Sequence, residues 1–226
     1  MTLHLETFWS FRSPYSYLVT PRLVAFAAAH QVEVTIRPVR PLATRDPAFF
    51  KRMGPGWRPY LFVDTAREAE YLGLPFRRPV PDPIVQDPQT HEIATEQPHI
   101  RRLTHLGIAA VERGRGLAYI DAVSRLLWTG RVDNWHQGEH LARAAAEAGL
   151  DHAELTEAIT RDPAHHDRTL EANEAALAEA GHWGVPSFVF QGEMFFGQDR
   201  FDRLVWRMRQ HGLAPREAAG HTGPEE

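Results

Sequence analysis

A chain of 226 residues with 43% hydrophobic and 10% aromatic residues can bury one large core, which excludes wholesale disorder. Its formal charge of −4 lacks the basic footprint of a nucleic-acid binder. It has no cysteine, which removes disulfides, thiolate metal sites and cysteine nucleophiles together, and Lys51 is its single lysine.

Residues Met1 to Thr7 lack the basic flank and apolar stretch of a secretion signal, and no window approaches the apolar length of a membrane span. The expectation is a cytoplasmic protein with no membrane or nucleic-acid partner. Leu3 to Trp9 alternates roughly and predicts a strand. Ser13-Pro14 then opens a helix to about His30, with serine as N-cap and proline at the first helical position. Val32 to Arg37 alternates again and ends at Pro38, so the opening is β-α-β with a right-handed parallel crossover.

The stretch 41–98 holds most of the prolines, one helical patch at Tyr60 to Leu72 and an irregular run from Pro75 to Pro98. Helical periodicity follows over Ile100–Glu112, Leu117–Trp128, Glu139–Ala148, Ala153–Thr160 and His165–Ala180, punctuated by glycines and by Asp162-Pro163. Ser187–Phe190 and Glu193–Phe196 are two short strands about the turn Gln191-Gly192. A helix with apolar Phe201, Leu204, Val205 and Met208 on one face closes the pattern. The order βαβ, helices, ββα predicts an α/β fold with a mixed four-stranded sheet and a large inserted helical domain. The expected division is 1–45 with 182–215 as the sheet domain, 46–181 as the helical insert, and 216–226 as a flexible tail.

Three motifs refine this reading: Phe11-Arg12-Ser13-Pro14-Tyr15-Ser16-Tyr17-Leu18, Trp183-Gly184-Val185-Pro186-Ser187-Phe188 and Phe195-Phe196-Gly197-Gln198-Asp199-Arg200. In that order and spacing they resemble the 2-hydroxychromene-2-carboxylate isomerase family, which is related to kappa-class glutathione transferases and DsbA-like oxidoreductases. The resemblance implies a thioredoxin-like fold and a glutathione-dependent isomerase acting on a small aromatic carboxylate by reversible thiolate addition. It also implies a homodimer.

Site residues follow from the same resemblance. Ser13 stands where a redox cysteine would, at a helix N-terminus whose unpaired N–H groups and dipole favour an anion. Its hydroxyl is the expected catalytic donor to the bound thiolate, with Pro14 beside it. Val185-Pro186 resembles the family's cis-proline loop, whose backbone grips the cysteinyl part of glutathione as an added strand would. Gln198 and Asp199 match the pair that holds the γ-glutamyl end. Arg12, Tyr15 and Trp57 are candidate substrate contacts, with Tyr17 a further aromatic candidate. Arg12, Arg37, Arg40 and Arg45 suit a carboxylate through bidentate donation.

One departure stands out. Family members carry an asparagine after the second strand, in Gly-Asn followed by Lys and prolines; here Phe50 to Pro59 has none. Lys51, Arg52 and Arg58 are the candidates for positive charge there. Two other readings therefore stay open, a kappa-like glutathione transferase or peroxidase and a non-catalytic cysteine-free binding module. A separate pattern, His136-Gln137-Gly138-Glu139-His140, matches the inverted zinc-protease signature. Gly138 weakens the helix such ligands need, so no metal site is assigned, and His165-His166 reads as exposed.

Overall fold

The structure is a computed structural model and describes residues 2–216. Strand β1 (Leu3–Trp9) pairs in parallel with β2 (Val32–Pro38), bringing Leu5 opposite Val34, and antiparallel with β3 (Ser187–Phe190), bringing Thr7 opposite Phe188. Strand β4 (Glu193–Phe196) completes the sheet in the order β2-β1-β3-β4. Strand alternation sends Leu3, Leu5 and Trp9 to one face and Phe8 to the other.

Helix α1 (Pro14–Ala29) lies on the first of these faces, and its buried residues, Tyr17, Leu18, Val19, Leu23 and Phe26 among them, occupy more than one side. Burial on several sides, with Ala25, Ala28 and Ala29 at the exposed positions, explains why α1 shows little amphipathic contrast in sequence. The Trp9 indole N–H donates to the Ser16 carbonyl at 3.1 Å, which satisfies a buried donor within the sheet–helix seam. On the opposite face Phe8 packs with Val39 and Leu177.

Between β2 and β3 run α2 (Leu42–Arg45), α3 (Phe49–Arg52), α4 (Trp57–Tyr71), α5 (Pro98–Glu112), α6 (Gly116–Trp128), α7 (His140–Glu147), α8 (His152–Arg161) and α9 (Pro163–Glu179). Helix α4 starts three residues before the patch read from sequence. Pro59 falls in its first turn, where no N–H is required, so the proline does not block the helix. Two short helices, α2 and α3, occupy ground where periodicity gave no element, since four residues are too few to show a period. Helix α9 begins at Pro163 because the Asp162 carboxylate accepts from the His165 N–H at 2.9 Å.

A single cluster of buried side chains joins the sheet to the helices, from Leu5 and Trp9 through Phe11 to Leu103, Leu106, Tyr119 and Val123. Phe11 is the joint. Its ring meets Trp9 edge-on at 4.7 Å, and a Cβ at Gly107 of α5 would lie 2.9 Å from it. The Trp128 indole donates to the Phe11 carbonyl at 3.0 Å. Helix α10 (Phe201–Gln210) covers the sheet beside α1, with Phe26 and Phe201 edge-on at 5.6 Å.

The chain then returns to the far end of α1. Gln31 N–H donates to the Ala214 carbonyl at 2.9 Å, and Arg216 N–H donates to that of Ala29 at 2.8 Å. Of the expected tail, Arg216 is thus tied to α1, while residues 217–226 lie outside the described residues.

Candidate functional site

The N-terminus of α1 opens onto a cavity of about 490 Å³. Ser13 caps the helix with extended backbone, and its Oγ accepts from the Ser16 N–H at 3.2 Å. The same hydroxyl donates to the Val185 carbonyl at 3.2 Å. Of the two polar groups of Val185 that an added strand would pair with, the carbonyl is engaged by Ser13, while the N–H makes no hydrogen bond among the described residues. The Val185–Pro186 peptide is cis, and the Pro186 carbonyl accepts from the Gly197 N–H at 2.9 Å, which ties this loop to the turn before α10.

Gly197 has φ of +103°, and a Cβ there would stand 2.5 Å from Asp199 Oδ1, so only glycine lets residues 198 and 199 turn towards the cavity. Gln198 is buried and donates from Nε2 to Glu68 Oε2 at 2.6 Å; Asp199 is exposed and pairs with Arg200 at 2.7 Å. Of the expected ligand residues, Ser13, Pro14, Val185, Gln198 and Asp199 all line the cavity, and Pro186 sits behind Val185.

Arg12, Tyr15 and Trp57 line it as well. Arg12 is bidentate to Asp82, at 2.7 and 2.9 Å, so its fork is not free for a carboxylate. Asp82 further accepts from Gln86 Nε2, the Ile84 N–H and Arg78. Burial pushes the Asp82 carboxyl up, but the donors and charge of Arg12, helped by Ile84 and Arg78, outweigh it and hold the group below the usual carboxylate range.

The other arginines nominated for a carboxylate are also engaged. Arg37 holds Glu6 at 2.6 Å, Arg40 grips Glu174 at 2.9 and 2.6 Å, and Arg45 donates to the Arg40 and Trp183 carbonyls. Arg52 pairs with Asp46. Arg58 reaches Gln86 at 3.5 Å in an adjoining groove, and the Lys51 side chain lies outside the described residues.

The Tyr15 hydroxyl donates to Asp64 Oδ2 at 2.5 Å, and Tyr60 donates to Asp64 Oδ1 at 3.1 Å. Burial, then the hydrogen bond to Asp64 and its charge, raise the Tyr15 phenol well above its ordinary range, so it remains a donor. Tyr17, by contrast, is buried in the core, with its hydroxyl on the Pro75 carbonyl at 2.5 Å.

Sequence reading missed the α4 wall. Tyr60, Asp64 and Glu68 recur every four residues, which places them on one helix face. That spacing was visible, but nothing in it distinguishes a face turned to a cavity from one turned to water. The rim is aromatic: His182 stacks on Phe196 at 3.8 Å and on Trp183 at 4.8 Å.

The zinc-protease pattern does not assemble. Gly138 has φ of +55° and α7 starts only at His140, so His136 and His140 do not share a helix turn. Among the described residues no group of three or more His, Cys, Asp or Glu side chains is placed to hold a metal. His166 is buried in the core rather than exposed, while His165 contacts Glu112 at 2.6 Å.

A cis-proline loop facing the N-terminus of the first helix, on a β2-β1-β3-β4 mixed sheet interrupted by helices, defines a thioredoxin-like protein. The model of the DSBA-like thioredoxin domain matches residues 4–209, and the chain belongs to that family.

Solved structures agree in fold. A 2-hydroxychromene-2-carboxylate isomerase is similar at a TM-score of 0.66 and 22% identity, covering 92% of this chain and 96% of its own. A probable DsbA oxidoreductase from Streptomyces coelicolor matches at 0.62 and 23%, covering 98% and 97%. The cytosolic disulfide reductase DsbM from Pseudomonas aeruginosa, in a structure with GSH, matches at 0.61 and 19%, covering 92% and 100%. At these identities the likeness establishes the fold alone. No curated protein matches the chain. Among the described residues no helix is long and apolar enough to cross a membrane.

Proposed function

We propose that the protein is a glutathione-dependent isomerase that acts on a small conjugated aromatic compound. The observation that carries this reading is the position of Ser13, a hydroxyl at a helix N-terminus 3.2 Å from the cis-proline loop, in a chain with no sulfur nucleophile of its own. Without cysteine, disulfide exchange has no protein partner, so the thiol must come with the ligand. The similar disulfide reductase solved with GSH and the similar isomerase support the same reading.

The residues present fit glutathione. The Val185 N–H is free for an extended peptide, and Gln198 and Asp199 border the same cavity at a helix start. When bound, glutathione supplies a thiolate that adds reversibly to a conjugated double bond and so lowers its rotation barrier. The chain's part is electrostatic. The Tyr15 N–H lies in the first turn of α1, where no intrahelical carbonyl is available to it because the Phe11 carbonyl precedes the helix and accepts from Trp128, and it faces the helix entry together with the Ser13 hydroxyl. Exchanging the Val185 carbonyl for a thiolate lets Ser13 Oγ–H hold that anion and lower its pKa. Asp199 suits the γ-glutamyl ammonium. A homodimer and a cytoplasmic location belong to this reading.

Calorimetric titration with reduced glutathione, against S-methylglutathione, tests it. Tighter binding of the free thiol, lost in Ser13→Ala with the fold retained by circular dichroism, is the expected result. No binding of glutathione at millimolar concentration would reject the cofactor and with it the isomerase.

A further inference from the structure

The charge on the α4 side of the cavity bears on which substrates it admits, an inference that rests on reading the cavity as the substrate site. Six charged side chains line it: Arg12, Arg78, Asp64, Glu68, Asp82 and Asp199. Both arginines converge on Asp82, at 2.7 and 3.3 Å. Asp199 has Arg200 at 2.7 Å. Among the described residues no cation forms a salt bridge with Asp64 or Glu68. Asp64 is met by the phenols of Tyr15 and Tyr60, and Glu68 by the Gln198 amide. Two like charges four residues apart on one helix face oppose each other, and neutral donors do not cancel that repulsion.

The rest of the lining has the same preference. Ten aromatic rings border the cavity, Phe62, Tyr60 and Trp57 nearest in sequence to the two acids, and ring faces attract cations and repel carboxylates. Ser10 adds an unpaired polar group to the same wall. It lines the cavity, is 1% exposed, and its Oγ has no hydrogen-bond partner among the described residues. The Trp57 indole N–H is likewise enclosed without a partner. Buried polar groups are ordinarily paired, so these two stand out on the wall of the cavity.

We propose that the substrate carries a protonated amine, seated between Asp64 and Glu68 against the aromatic lining, and that this wall rejects aromatic carboxylates. The proposal departs from the carboxylate substrate implied by the resemblance, because each arginine nominated from sequence for a carboxylate, Arg12, Arg37, Arg40 and Arg45, is engaged elsewhere. The class is small aromatic ammonium compounds conjugated to an alkene.

The test compares phenethylammonium with 3-phenylpropionate by calorimetry at neutral pH, in the absence and presence of saturating S-methylglutathione. The cation should bind at least about ten-fold more tightly, one decade of dissociation constant. Asp64→Asn, which keeps an acceptor for Tyr15, and Glu68→Gln should each shrink that ratio, and the double variant should abolish it with the circular dichroism spectrum unchanged. Equal binding, carboxylate preference or no binding of either probe overturns the proposal. So does a preference that vanishes once S-methylglutathione is bound, since the acids would then serve the γ-glutamyl ammonium. Cation preference in a protein that ignores glutathione would sustain the charge assignment while rejecting the cofactor, so the two failures are distinguishable.

Discussion

Helices α1 and α4 face one cavity and supply it with opposite chemistry. α1 presents its N-terminus, with the neutral Ser13 cap and no acidic residue in its first turn, so its contribution is largely backbone and favours an anion. α4 presents side chains from its middle, Asp64 and Glu68, and its contribution favours a cation. The α1 end is set by the sheet, because β1 delivers the chain to Ser13 and β3 brings Val185 against it. The α4 face is set by the segment between β2 and β3. The comparison teaches that in this fold the sheet fixes the helix N-terminus while an inserted helix fixes the charge that faces it.

If the sheet that carries α1 and the inserted helices that carry α4 form one cooperative unit, breaking the contact between sheet and insert must destabilise both. Phe11→Ala, which empties the contact between Trp9 and α5, should cost about 3–5 kcal/mol. Urea unfolding followed by tryptophan fluorescence and by circular dichroism should still give coincident transitions; two separated ones would show that α4 and α1 unfold independently.

A smaller effect is expected where Arg12, just before α1, reaches the 75–98 segment through Asp82. Arg12→Met should cost about 1.5–3 kcal/mol near neutral pH, the range for hydrogen bonds to charged groups. The folded Asp82 carboxyl sits below its unfolded value, so the pair's stability is present above about pH 4 and is lost as pH falls through the folded value. The penalty measured by urea titration should therefore narrow in acid. A constant gap down to pH 2 would show that Arg12 acts by packing.

The smallest effect concerns the seam between the walls themselves, the Tyr15–Asp64 bond. The raised phenol means this contribution is complete below about pH 10 and fades as pH rises through the folded value. Ultraviolet titration should show part of the tyrosine absorbance appearing late, and Asp64→Asn should move that part to lower pH. An unchanged titration would separate Tyr15 from Asp64 electrostatically.

The α1 wall was legible in the sequence because its parts are local. Ser13-Pro14 is a capping pair, Val185-Pro186 sits directly before a strand, and Gly197-Gln198-Asp199 opens a helix; each motif reads within a few residues. The parallel opening pair and the closing hairpin were legible too, from the alternation of Val32–Arg37 and the turn Gln191-Gly192, though the order of the strands was not. The roles of Arg12, Arg37 and Arg40 were not, because their partners lie 70, 31 and 134 positions away. Nor was the α4 wall, where helical periodicity places Asp64 and Glu68 together but is silent on what they face. Local chemistry survives in sequence, and pairing across the fold does not.

The return of residues 213–216 to α1 makes that helix a beam fixed at both ends. Its entry is pinned by the cis-proline loop and its exit by the carbonyls that Gln31 and Arg216 engage, over a length of about 24 Å. A beam clamped in this way cannot pivot, so the direction of its dipole at Ser13 depends on residues at the opposite end of the molecule. For anyone engineering the protein, a fusion joined before residue 216 removes the distal clamp, whereas one joined beyond it leaves the beam in place.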